Sequence, residues 1–88
     1  MASEPPRIIW SKESLDKFQR LEHQTRDQIL RRVEFLKNSP MLYRVELEGR
    51  WAGLRRFRAI EVIVFYTYWH QDNAVYIEAI AEARSKPL

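Results

Sequence analysis

Eighty-eight residues without a cysteine make one small domain and exclude both a disulfide framework and thiolate chemistry. Hydrophobic residues at 45% supply a single core and argue against disorder, while 31% charged residues give a strongly solvated surface. A net charge of +3 permits a nucleic acid or an acidic protein as partner without demanding either, and no apolar run approaches the roughly 18–20 residues that span a bilayer.

The opening Met1-Ala2-Ser3-Glu4-Pro5-Pro6 lacks the basic and apolar regions of a secretory signal, so the expected location is cytoplasmic. Pro5-Pro6 closes a leader expected to fray over residues 1–6. Arg7-Ile8-Ile9-Trp10 is short, β-branched and aromatic, and predicts a first strand. Ser11 can cap a helix whose inner face carries Leu15, Phe18 and Leu21. Thr25 is the expected start of a second helix with Ile29, Leu30, Val33 and Leu36 as its apolar stripe, Phe35 beside it, and Arg31, Arg32, Glu34 and Lys37 in water. Asn38-Ser39-Pro40 ends it. A short connection near Glu22-His23-Gln24 predicts a hairpin of two antiparallel helices.

Residues 41–49 fit either a short strand or an extended loop. From there the pattern is β: residues 54–59 alternate, residues 62–69 are continuously apolar and aromatic, Gln71-Asp72-Asn73 is a turn, and residues 74–80 form the last strand. The order is β-α-α-β-β-β. It predicts an α+β domain over residues 1–88, with the helical hairpin on one face of a mainly antiparallel sheet.

The segment of chemical interest is Gly49-Arg50-Trp51-Ala52-Gly53-Leu54-Arg55-Arg56-Phe57-Arg58. Side chains of a strand repeat every two residues, so Arg56 and Arg58 share one face while Arg55 lies with Phe57 and Ala59. Burying an unpaired guanidinium is costly. The Arg56/Arg58 face is therefore expected to stay open, with the helices over Phe57 and Arg55 near their rim. Spacing also fits a plainer account, in which these are solvated arginines paired with Glu46, Glu48 or Glu78. Trp51, with Arg50 and two glycines around it, is expected to be partly exposed and to touch a partner. Tyr66 and Trp69 read as strand packing, and Glu61 as a pair for Arg58 or Arg55. His23 and His70 do not converge, and no carboxylate–histidine cluster has metal-ligand spacing, so no metal or cofactor is expected.

Gly53-Leu54-Arg55-Arg56-Phe57-Arg58, then Val62-Ile63-Val64-Phe65-Tyr66, then residues 75–84 ending in Arg84, together resemble the C-terminal half of the RelE/ParE toxin family. The N-terminal strand and two helices fit it as well, and the resemblance runs from Arg7 to Arg84. It implies a growth-inhibiting toxin of a type II toxin–antitoxin system, of the kind associated with plasmid stabilisation, neutralised by a cognate antitoxin. RelE-type members cut mRNA on the ribosome without a metal, whereas ParE-type members act on DNA gyrase without being enzymes. Carried across, Arg56, Arg58 and Arg84 would be the catalytic or phosphate-clamping residues, and Arg50, Trp51 and Arg55 would bind target or partner.

Three departures bear on the branch. Glu61-Val62 stands where many members carry an arginine, Glu82 or Ala81 where many carry a histidine, and Ser85-Lys86-Pro87-Leu88 supplies no tyrosine. They shift weight towards a ParE-like member. The alternative is an inactive adaptor of the same fold that binds RNA or protein.

Overall fold

The computed structural model describes residues 4–83, along which the chain forms β1 (Arg7–Trp10), α1 (Lys12–Gln19), α2 (His23–Asn38), β2 (Arg55–Ala59), β3 (Val62–Trp69) and β4 (Ala74–Glu82). Ser11 starts α1 as expected, its Oγ accepting from the Ser14 amide at 3.1 Å. The inward side of α1 carries Ser14 and Phe18, while Leu15 is left exposed. Ser14 is buried because its hydroxyl donates across to the Ile77 carbonyl at 3.0 Å, which satisfies a polar group inside the core. Seven residues of sequence separation tie the helices locally too, with Arg26 Nη1 donating to the Gln19 carbonyl at 3.3 Å.

The second helix begins at His23, earlier than Thr25, from an extended Glu22 that offers no side-chain cap. Thr25, Ile29, Val33 and Leu36 form its buried stripe. Leu30 and Phe35, expected on that stripe or beside it, point into solvent at 46% and 61% exposure. Arg32 is half-buried instead of solvated, because its Nη1 donates to the Tyr43 hydroxyl at 2.9 Å.

The sheet order is β1-β4-β3-β2, with β1 parallel to β4 and the other two pairings antiparallel. Both helices lie on one face of it. Ile29, Val33 and Leu36 meet Phe57, Val64, Tyr66 and Ile77 there, and Trp10 packs on Phe18 at a centroid distance of 4.8 Å. A bulge between Phe65 and Tyr66 sets Phe65 opposite Ala79 and Tyr66 opposite Ile77, leaving Glu78 as the extra residue of β4. The register thus keeps Tyr66 in the core and Phe65 on the far side.

Of the two options for residues 41–49, the extended loop is what forms. A single bridge, Val45 to Arg55, joins it to the sheet, and the Glu46 amide donates to the Leu54 carbonyl at 2.7 Å. Gly49 and Gly53 turn this loop with φ of 85° and 89°, a region costly for side chains with a Cβ. In the leader, Pro6 is buried and Asn73 Nδ2 donates to the Glu4 carbonyl at 3.0 Å, which holds residues 4–6 against the β3–β4 turn. Among the described residues no helix is long and apolar enough to cross a membrane.

Candidate target-binding face

Strand β2 sits at the end of the sheet, and its alternation sorts its side chains between two environments. Phe57 is 3% exposed beneath the helices, while Arg56 and Arg58 are exposed on the opposite face, which no helix covers. Arg56 Nε lies 3.1 Å from Glu46 Oε2. Its side chain is still half in solvent, so this pair contributes at most about 1 kcal/mol and leaves the guanidinium available to a competing anion. Arg58 Nε donates to the Ile60 carbonyl at 3.1 Å. Among the described residues Glu61 pairs with neither Arg58 nor Arg55, and Glu78 accepts from Thr67 Oγ1 at 2.9 Å. Of the three glutamates considered as partners, the structure brings Glu46 to Arg56.

The third arginine of the strand behaves differently. Arg55 is half-buried, and its Nη1 donates to the Tyr43 carbonyl at 2.6 Å and the Met41 carbonyl at 3.4 Å. Its charge is turned into the preceding loop, where it holds backbone acceptors that water does not fully reach. It braces the site from the rim.

Trp51 lies on the open face, stacked on Phe65 with ring centroids 4.2 Å apart and planes 16° from parallel. The Arg50 guanidinium carbon is 4.9 Å from the Trp51 ring centroid, within cation–π range. Phe65 is only 2% exposed although no helix covers its side of the sheet. That packing escaped the sequence reading, yet one signal carried it: a strand apolar on both faces, as residues 62–69 are, must be covered on both. Trp69, by contrast, was expected to pack and is 51% exposed near the β3–β4 turn.

Tyr66 is fully buried under α2, and its hydroxyl donates to the Pro40 carbonyl at 3.0 Å. Burial pushes its phenol from the ordinary 10.0 up to about 12, against smaller opposing effects from a Tyr43 backbone hydrogen bond and the Arg55 charge. It is a structural tyrosine. At the other end of β2, Arg58 and Glu61 share a shallow charged cleft with Lys17, Arg20, Glu22 and Glu82. Arg84 lies outside the described residues. The structure therefore gathers Arg50, Trp51 and Arg56 along one side, with Arg58 further down the same strand face. Guanidinium groups beside an indole suit capture of carboxylates or phosphates against an aromatic anchor.

Comparison with known proteins identifies the family and supports the fold. The family described as the ParE toxin of the type II toxin–antitoxin system parDE matches residues 8–87. The fold is similar to that of isolated Escherichia coli RelE toxin, with a TM-score of 0.79 at 13% identity over 92% of this chain and 87% of that one. It is similar to RelE in the RelE–RelB complex of Pyrococcus horikoshii OT3, with a TM-score of 0.74 at 20% identity over 89% of this chain and 94% of that one. A YoeB/ParE toxin from Agrobacterium tumefaciens gives 0.71 at 17% identity over 89% and 99% of the two chains. No curated relative matches at a significant level.

Proposed function

The chain belongs to the ParE toxin family of type II toxin–antitoxin systems, and on that premise we propose that it arrests growth by acting on DNA gyrase and is held inactive by a cognate antitoxin. The observation that carries the choice of target is the start of β3. Val62, at the position where many members of the RelE/ParE family carry an arginine, is 3% exposed inside the core, and the adjoining Glu61 carries the opposite charge at the surface. That strand brings no guanidinium to face Arg56 and Arg58. What remains on the open face is a binding surface: Trp51 fixed on Phe65, with Arg50 and Arg56 beside it. A rigid indole flanked by arginines is the composition of an interface anchor and needs no bond-making chemistry. The antitoxin part of the reading is supported by relatives from E. coli, P. horikoshii and Mycobacterium tuberculosis that were each solved as toxin–antitoxin complexes.

Exposed Arg56 and Arg58 favour one further reading, metal-independent cleavage of ribosome-bound mRNA. Inducing the chain alone in bacteria separates the two. Gyrase action gives growth arrest with a DNA-damage response and altered plasmid supercoiling while transcripts stay whole. Cuts at defined codons in primer extension would transfer the assignment to mRNA. Undisturbed growth at high soluble expression would leave an adaptor without toxicity.

A further inference from the structure

The loop between α2 and β2 contains a short run, Tyr43-Arg44-Val45-Glu46-Leu47-Glu48, in which apolar or aromatic residues alternate with charged ones. Val45 bridges Arg55, so this run flanks β2 as the outermost extended segment on that side of the sheet. Its hydrogen bonds face inwards. The Glu46 amide donates to the Leu54 carbonyl at 2.7 Å, and the Glu46 carbonyl accepts from the Gly53 amide at 2.8 Å. Successive residues of an extended chain turn their peptide groups to opposite sides, so the amide and carbonyl of Val45 point away from β2, into solvent.

The side chains alternate as well. Tyr43 lies on the helix side, its ring 5.6 Å from that of Phe57, and Val45 and Leu47 follow it there. They are 37% and 85% exposed, and with Leu42 at 55% they line one open cleft. Arg44 and Glu46 take the other side, where Glu46 meets Arg56. Apolar side chains in water beside unpaired peptide groups invite a further strand. The run itself selects the occupant. In an antiparallel pairing across a two-fold axis at Val45, each Arg44 falls opposite Glu46 of the other copy, and each Leu47 opposite Tyr43. Val45 meets Val45, and the two residues exchange both N–H···O bonds. An axis at Arg44 would set that arginine against itself, and an axis at Glu46 would do the same to the glutamate. Only the register centred on Val45 joins unlike charges.

We propose that residues 43–47 are the interface of a symmetric dimer of this chain, two copies pairing edge to edge about an axis at Val45. The pairing buries Leu47 and Val45 against the copy's Tyr43 and Val45 on the helix side. On the other side it makes the Arg44–Glu46 pair twice. The inference goes beyond the growth-arrest reading and stands without it. A dimer of this form carries two Trp51 anchors related by the same axis.

The test is sedimentation velocity of the full chain over a concentration series. A dimer with Kd on the order of 10 µM is expected, the weak association that one strand pair and a few apolar side chains support. Leu47→Asp, at a position too exposed to disturb the core, should raise Kd by about 10-fold or more. Arg44→Glu and Glu46→Arg should each do the same, because each sets like charges face to face twice. Mixed in equal amounts, those two variants should recover the dimer as a heterodimer, since every facing pair is then opposite in sign. A folding defect does not produce that recovery. Amide exchange at Val45 in the unsubstituted chain should slow as concentration rises, a readout that needs no variant. A chain that stays monomeric up to about 1 mM overturns the proposal, whether or not a different protein covers the strip. A dimer that Leu47→Asp and both charge reversals leave intact overturns it too, as do charge variants that remain monomeric when mixed.

Discussion

Trp51 lies flat on Phe65, and this one contact covers the centre of the sheet on the side the helices leave bare. The stack is a small second core. It ties a glycine-flanked loop to β3 and fixes the indole that the proposed target would meet.

Trp51→Ala is accordingly expected to destabilise the domain by about 2 kcal/mol, combining lost aromatic pairing with newly wetted Phe65. Urea denaturation measures it. Trp51→Phe keeps a ring on Phe65 and should stay within about 1 kcal/mol of the parent, yet weaken growth arrest if the indole itself touches the target. Equal stability of the alanine variant would mean that Phe65 is covered by something else.

Arg55 braces the loop through the carbonyls of Tyr43 and Met41. Arg55→Ala leaves those acceptors to water and should cost about 1–2 kcal/mol, since hydrogen bonds from charged donors exceed neutral ones. Limited proteolysis offers a local readout: cleavage near Met41-Leu42 should accelerate ahead of global unfolding. Unchanged cleavage would show that the Arg32–Tyr43 and Tyr66–Pro40 hydrogen bonds suffice to hold the loop.

Ile60, a β-branched residue in the turn between β2 and β3, has φ of 54°. This backbone region costs such residues on the order of 1–3 kcal/mol, and glycine enters it freely. Ile60→Gly should gain about 1 kcal/mol after the extra flexibility of the unfolded glycine chain is subtracted, raising Tm by several degrees. A lower Tm would mean that the half-exposed isoleucine side chain contributes more packing than its backbone costs.

Burial raises the Tyr66 phenol to about 12 in the fold, whereas its unfolded value is 10.0. The folded state therefore holds this proton more tightly. Its stabilising effect is complete below pH 10 and is lost as pH climbs from about 10 towards 12. The tyrosinate absorbance assigned to Tyr66, obtained by difference against Tyr66→Phe, should appear near pH 12 or together with unfolding. Appearance at pH 10 in the folded protein would place the ring in water.

Much of the fold was legible from local signals. The Ser11 cap, the strand stretches on either side of the polar turn at residues 71–73, and the two faces of β2 each follow from periodicity within a few residues. What escaped was decided by distant contacts. The length of loop 39–54 and its path depend on Arg55 reaching back to Tyr43, and Phe65 is covered by Trp51 of that loop. Leu30 and Phe35 each stand one position from a buried residue of α2, about 100° around the helix from it, and so fall outside the buried stripe of Thr25, Ile29, Val33 and Leu36. At the site, Arg56 and Arg58 were placeable from alternation, whereas the choice of Glu46 as the Arg56 partner required the fold of the loop.

The parallel pairing of β1 with β4 has a kinetic consequence. Of the four described strands, β1 is made first on the ribosome and β4, the strand it pairs with, is made last. The nascent chain can coil its helices early, but its first strand stays without a partner until residues 74–77 have been synthesised. The sheet of this domain can therefore close only when synthesis of β4 is under way, which places its completion at the end of translation.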